Sequence, residues 1–378
     1  MKIGIVCYPT HGGSGVIASE LALGLAKSGH EIHIVSYATP FRLGSFHQNV
    51  FIHEVEVASY PLFKYPPYAL ALATKLVEVA REYGLDLIHA HYAVPHAASA
   101  YLAKKMLRSH QLKTITTLHG TDITLVGNDK SFYQAVKFNI EESDGITAVS
   151  HYLQQRTLQE FNIDREIRVI HNFVDALRYS HASNDCAKGH FAPQGEKVVM
   201  HASNFRSVKR VEDVVQIFAK IQERIPAKLL LVGEGPDRML IQQRVTELKL
   251  SDQVVFLGEQ DYMEELLSCA DLFILPSEQE SFGLVALEAQ SFGVPVIGTN
   301  VGGLPEVVIH GETGFLLPVG EIEGMAAKSL ELLESPDLYV SFQKNARERV
   351  LHCFDSQKMI SQYEAYYQEI LEQRLAEP

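Results

Sequence analysis

The chain has 378 residues, 46% hydrophobic and 21% charged, the composition of a globular protein with room for two cores. Its 33 Lys and Arg stand against 46 Asp and Glu, a net charge of −13, which excludes a nucleic-acid backbone or an anionic membrane as the main partner. No apolar run approaches the ~20 residues of a membrane span, no signal-peptide cleavage site follows the first strand, and the four cysteines are scattered, so the expected location is the cytoplasm, with reduced thiols.

In chain order, the spacing predicts a buried strand over 2–8, a helix over 15–28 closed by Gly29, and a strand over 31–37. A helix over 68–83, a strand over 85–91, a helix over 96–108 and a strand over 113–118 follow. A helix over 132–143 and strands over 146–149 and 167–170 complete the first half. Apolar periodicity then lapses over 176–196, where a Ser, Asn, His, Gly and Pro mixture predicts a boundary loop. The alternation restarts with strand 198–202, helix 211–225, strand 229–232 and helix 239–249. It continues through strands 254–257 and 272–275, helix 282–292 and strand 294–298, and turns helical from 322, the last helix covering 356–374. Two consecutive α/β halves with parallel sheets predict a cleft between their carboxyl edges, where open sheets bind ligands.

The first loop, with Gly13, Ser14, Gly15 and Ala18, formally matches the dinucleotide fingerprint Gly-x-Gly-x-x-Ala. Residues 8–11 intervene between strand and glycines, however, and no acidic residue stands at the tip of the second strand to hold a ribose diol. A nicotinamide site is therefore disfavoured. The same glycines and the following helix N-terminus make an anion-friendly lip instead.

The more specific signal lies in the second half. Glu280 and Glu288, with seven residues between them, flank a strand-to-helix turn, so Glu280 faces a ligand at the helix mouth and Glu288 reaches it from the side. The amides of Ser281, Phe282, Gly283 and Leu284 suit a phosphate, and a carboxylate at Glu288, set in an apolar run, suits a ribose diol. Upstream, Arg206, Lys209 and Arg210 end the first strand of this half and read as a diphosphate clamp. No Asp-x-Asp pair for a metal-bound nucleotide sugar occurs in the sequence.

On these residues the chain resembles the retaining, nucleotide-sugar-dependent glycosyltransferases marked by Glu-x7-Glu. The likeness runs through Gly12 to Gly15, His91 and Tyr92, His119 to Asp122, 171–175, Glu280 to Glu288, and 302–306. Within that family, 203–210, 119–122 and the N-terminal loop are most similar to the branch that joins N-acetylglucosamine to L-malate in bacillithiol biosynthesis. In the wider family Arg and Lys have four residues between them, which puts Asn204 at the Arg position opposite Lys209. Either Arg206 supplies the guanidinium or Asn204 replaces it by hydrogen bonding.

The resemblance implies the GT-B fold: an acceptor-binding Rossmann-like domain over 1–172, a nucleotide-sugar domain over 173–354 and a last helix, 355–378, crossing back to the first. It implies UDP-N-acetylglucosamine on Lys209, Arg206, Asn204, Gly15, the helix mouth from Ser281 to Leu284, and Glu288, with Glu280 on the sugar hydroxyls and His119 beside the ring. L-malate is expected on Gly13, Ser14, Tyr92, Thr117 and Thr121, with Lys137 one candidate for its second carboxylate. No metal or cofactor is expected, and retention points to front-face substitution. A same-fold transferase with an inositol phosphate, lipid or glycan acceptor stays as an alternative, as do, further off, a nucleotide-sugar epimerase or hydrolase and an NAD-dependent dehydrogenase, and the sequence leaves a homo-oligomer open. His89, His91, His96, His119 and Asp122 could suggest zinc, yet their spacing matches no closed zinc set, and a structural role is expected for His89.

Overall fold

Short β-branched runs in which nearly every side chain is buried can only be inner strands of a sheet covered on both faces. The computed structural model describes residues 1–10, 12–58, 60–108, 112–175, 188–261 and 263–376, and the chain divides into two units, Met1–Asn172 with Ser356–Pro378, and Phe173–Asp355.

In the first unit seven parallel strands, β1 (Lys2–Val6), β2 (Glu31–Ser36), β3 (Val50–Glu54), β4 (Leu87–His91), β5 (Lys113–Leu118), β6 (Gly145–Ala148) and β7 (Arg168–Val169), pair in the order β3-β2-β1-β4-β5-β6-β7. Helices α1 (Gly13–Lys27), α2 (Tyr68–Tyr83), α3 (Ala98–Leu107), α4 (Tyr133–Glu142) and α5 (His151–Phe161) connect them. Strand order reverses between β1 and β4, so the loops leaving Val6 and His91 flank the crevice position of a doubly wound sheet. The strand β3 and helix α5 were not expected. The former is a half-exposed edge strand with a weak apolar pattern, and the latter buries only Leu153, Thr157 and Phe161.

The second unit repeats the plan. Strands β8 (Lys197–Ala202), β9 (Ala227–Val232), β10 (Val254–Gly258), β11 (Leu272–Leu275), β12 (Val296–Thr299) and β13 (Gly314–Leu317) pair in parallel as β10-β9-β8-β11-β12-β13. The helix Val211–Gln222 lays Val214, Ile217, Phe218 and Ile221 on Leu229, Leu231 and Ile274, a helical stripe meeting a strand face. Here the reversal falls between β8 and β11. Of the expected boundary loop, 176–187 lie outside the described residues, and a short helix, Lys188–Phe191, follows.

The last helix, Ser356–Ala376, packs into the first unit. Ile360 sits where a Cβ on Gly24 would lie 2.0 Å from its Cδ1, so only glycine lets the helix approach α1. The Tyr366 hydroxyl accepts from the Ile146 amide at 2.8 Å, Glu364 meets His30 at 2.9 Å, and Arg168 pairs with Glu369 at 2.7 Å. Among the described residues no helix is long and apolar enough to cross a membrane.

Candidate active site

At the β8–β11 reversal the second unit brings its predicted residues together. Chain leaving β8 turns through Asn204 to Arg206 and one 3-10 turn, Ser207–Lys209, while chain leaving β11 runs from Pro276 to Glu280. The amide of Glu278 donates to the Val208 carbonyl at 2.8 Å and ties the two loops. Lys209 Nζ rests 2.5 Å from Glu280 Oε1, which also accepts from the Ser277 hydroxyl at 3.0 Å. Glu280 is nearly buried and Lys209 mostly so, which makes the pair a desolvated one held by geometry.

Gly302, at φ +60°, lets the next loop press on this one: a Cβ there would stand 1.8 Å from the Glu280 carbonyl oxygen. The Gly303 amide donates to that same carbonyl at 2.8 Å. The helix begins at Leu284 rather than 282, because Gly283 adopts φ +94° and unwinds the turn before it. Glu288 lies buried on this helix, and Phe282 is buried edge-on against Phe354, so Phe282 can offer a ligand only its backbone.

The three expected cations separate. Arg210 is held by Asp213 at 2.6 Å and Glu278 at 2.8 Å, which raise its pKa, and it is spent on those carboxylates. Arg206 and Asn204 are exposed at the loop tip, and among the described residues no carboxylate holds Arg206. Behind them His201 donates from Nδ1 to the Ile274 carbonyl at 2.8 Å and faces the Ser203 hydroxyl with Nε2 at 2.8 Å. Burial holds its pKa down at about 4, so the ring is neutral and braces the loop.

At the reversal of the first sheet, α1 begins at Gly13. The Gly15 amide is spent on the Gly12 carbonyl at 3.0 Å, and a Cβ on Gly15 would lie 2.4 Å from the Thr10 carbonyl oxygen. Gly15 thus serves close packing, and the amides left for an anion are those of Gly13 and Ser14. Thr117 departs from expectation. It is fully buried, its hydroxyl 2.6 Å from both His89 Nε2 and Thr147 Oγ1, so it cannot offer that hydroxyl to an acceptor. Its carbonyl instead accepts the Tyr92 amide at 3.0 Å.

Tyr92, at φ +93°, turns a half-buried ring toward Tyr8 and His119, centroids 5.5 Å and 5.3 Å away. Such a backbone in a bulky residue is uncommon and clusters at sites. Thr121 is exposed beside it. Lys137, on α4, leans on Glu141 and the Asn162 carbonyl.

Behind Tyr92 and His119 lies a network whose function the sequence did not disclose. His91 Nδ1 meets His119 Nε2 at 2.9 Å, and His96 Nδ1 donates to the His91 carbonyl. Asp122, fully buried, accepts from the amides of Gly120, Ala93 and His119 at 2.9, 3.2 and 3.2 Å. Burial lowers His119 and His89 to about 3 and His96 to about 4, and lifts Asp122 to about 6. In the sequence these residues showed only as marks of the family resemblance, at His91 and His119 to Asp122, and as histidines whose spacing fits no closed zinc set. His89 bonds Tyr367 of the last helix at 2.7 Å, leaving both its nitrogens engaged.

Residues 11–178 match glycosyltransferase family 4 and residues 184–349 match glycosyl transferases group 1. The chain is 49% identical, over 98% of its length and 97% of the other's, to the N-acetyl-alpha-D-glucosaminyl L-malate synthase of Bacillus anthracis. Among solved structures it is similar to the sucrose-phosphate synthase of Thermosynechococcus elongatus, with 24% identity, TM-score 0.81 and coverage of 98% and 99% of the two chains. It is also similar to Anabaena HepE in complex with UDP and glucose, with 22% identity, TM-score 0.82 and coverage of 97% and 99%. Two doubly wound units whose sheet-edge loops carry the Glu280, Glu288 and Lys209 arrangement, together with these matches, place the chain in the family of group 1 and family 4 glycosyltransferases.

Proposed function

We propose that the chain transfers N-acetylglucosamine from UDP-N-acetylglucosamine to the hydroxyl of L-malate, the first step of bacillithiol biosynthesis, in the cytoplasm, without a metal ion and with retention at the anomeric carbon. The observation that carries this reading is the 49% identity over 98% of the chain to a relative bearing that activity in its name.

The geometry of each edge suits the parts assigned to it. Lys209 has three donor protons; one lies on Glu280 and the others are left for diphosphate oxygens, so the leaving group meets a cation already desolvated and fixed. Glu280, held by Ser277 and Lys209, keeps lone pairs for sugar hydroxyls. Glu288 takes the ribose, the turn before Leu284 supplies amides, and Arg206 with Asn204 closes over the diphosphate from the loop tip. Malate places one carboxylate on the Gly13 and Ser14 amides, against Tyr92 and Thr121. The departing diphosphate oxygen takes the malate hydroxyl proton on the face it leaves, while fixed charges stabilise the oxocarbenium-like state.

Mass spectrometry of the product from UDP-N-acetylglucosamine, offered a pool of hydroxy acids and inositol phosphate, tests it. An N-acetylglucosaminyl malate and an equal yield of UDP are expected; product on another acceptor, or UDP release without any, overturns the assignment. A trapped glycosyl-enzyme ester would overturn front-face substitution alone.

A further inference from the structure

We propose that His91 is a positioning residue that fixes His119 as an Nδ1–H donor at the carboxyl edge of the first sheet, so that His119 can donate a hydrogen bond to a substrate oxygen but cannot take a proton from the acceptor. This deepens the transferase reading and rests on it for the identity of the substrate.

The inference follows from counting protons. Burial keeps both rings neutral at physiological pH, so each carries one N–H, and only one proton can lie between His91 Nδ1 and His119 Nε2, 2.9 Å apart. His91 Nε2 is buried with no hydrogen-bond partner. If the His91 proton sat there, the fold would hold an orphaned N–H, which native interiors almost never do; a bare ring nitrogen is the lesser loss. The proton therefore lies on His91 Nδ1 and is donated to His119 Nε2. His96 repeats the choice: its Nδ1 donates to the His91 carbonyl, and its buried Nε2 is bare.

With its Nε2 accepting, His119 carries its own proton on Nδ1; that atom has no partner among the described residues, and the residue is only part-buried. The Asp122 carboxylate holds the His119 and Gly120 amides, and the rings of His91 and Tyr92 lie at 5.1 and 5.3 Å, so the direction of Nδ1 is set as well. A fixed donor suits a sugar hydroxyl or phosphate oxygen that gains negative charge as the bond breaks. The only nitrogen that could act as a base is turned inward onto His91, which leaves the malate proton to the departing diphosphate.

Nitrogen-15 spectra of the full-length protein with labelled histidine, His119 assigned by comparison with His119→Asn, read the tautomer without any substrate. The expected spectrum has His119 Nδ1 protonated and Nε2 bare at neutral pH; the reverse overturns the proposal. Asparagine at position 91 can still donate from Nδ2, leucine cannot. His91→Asn should keep the tautomer and turnover within about threefold, whereas His91→Leu should lose both, with kcat down about tenfold and the donor KM little changed. Equal behaviour of the two variants, or loss of the tautomer in His91→Asn, overturns it. Absence of any N-acetylglucosaminyl product in the wild type would sink the transferase reading and leave the spectral result standing.

Discussion

Residue by residue, the loops at the β8–β11 edge divide into cations that are available and cations that are occupied. Lys209 is placed on Glu280 and Arg210 on Asp213 and Glu278, while Arg206 is exposed and no carboxylate among the described residues holds it. Lys209→Ala should therefore lose turnover on the order of 100-fold, as for a lost oxyanion donor, measured as kcat at saturating donor. Glu288→Ala should raise the donor KM more than it lowers kcat, since a ribose contact is made equally in ground and transition states; equal changes in both would remove Glu288 from the ribose. The strand-to-helix turn between Glu280 and Glu288 was legible because their spacing is itself the signal of such a turn. Thr117 was misread because sequence gives the alternation along a strand without saying which face is covered. Its hydroxyl points to His89 and Thr147, a direction fixed only by neighbouring strands.

At the scale of elements, the site depends on loops that approach backbone to backbone. The strands and helices that carry it were visible in the alternation of apolar runs, and the reversal of order at β8 and β11 puts their loops side by side. The string 302–306 was noticed as a family mark, but its role is steric: Gly302 lets its loop lie on the Glu280 carbonyl, with Gly303 donating to it. Gly302→Ala must move that loop or strain a left-handed residue. A loss of activity on the order of 100-fold is expected, with destabilisation of about 1–3 kcal/mol, measured by turnover and urea unfolding. An alanine variant with native turnover would show that Glu280 tolerates displacement. The edge strand β3 and the polar helix α5 escaped notice because neither buries enough apolar surface to write a period.

For the molecule as a whole, the buried imidazoles set the response to acid. His89, His91, His96, His119 and His201 are held below the ordinary 6.5 by burial, so below that pH the unfolded chain binds protons that the fold refuses, and stability is lost as pH falls. Asp122 acts oppositely: between about 6 and 3.8 the fold binds a proton that the unfolded chain does not, which stabilises on acidification. Five histidines less one aspartate leave a net uptake of four protons on unfolding, roughly 5 kcal/mol lost per pH unit near pH 5. Urea titrations across pH 4.5–6.5 should give that slope, and His96→Phe should reduce it by about one proton; an unchanged slope would mean that His96 is not the buried neutral group assigned here. The last helix contributes on the same scale. Met359, Ile360, Tyr363, Tyr366, Tyr367 and Ile370 are buried on it, worth together on the order of 10 kcal/mol, comparable with the whole stability of a domain. A chain ending at residue 355 should therefore keep a folded second unit but lose the fold of the first, seen as a partial loss of far-UV signal and the disappearance of one urea transition.

The first unit is thus assembled from two stretches of polypeptide separated by the whole of the second. A ribosome delivers the sheet long before it delivers Tyr367, and until then His89 lacks its outer partner and Gly24 its neighbour. The second unit, one uninterrupted stretch, can complete itself during synthesis, whereas the first must wait for the final turns to emerge. Stalled or prematurely terminated translation products would accordingly carry a sound second unit and an unfinished first one.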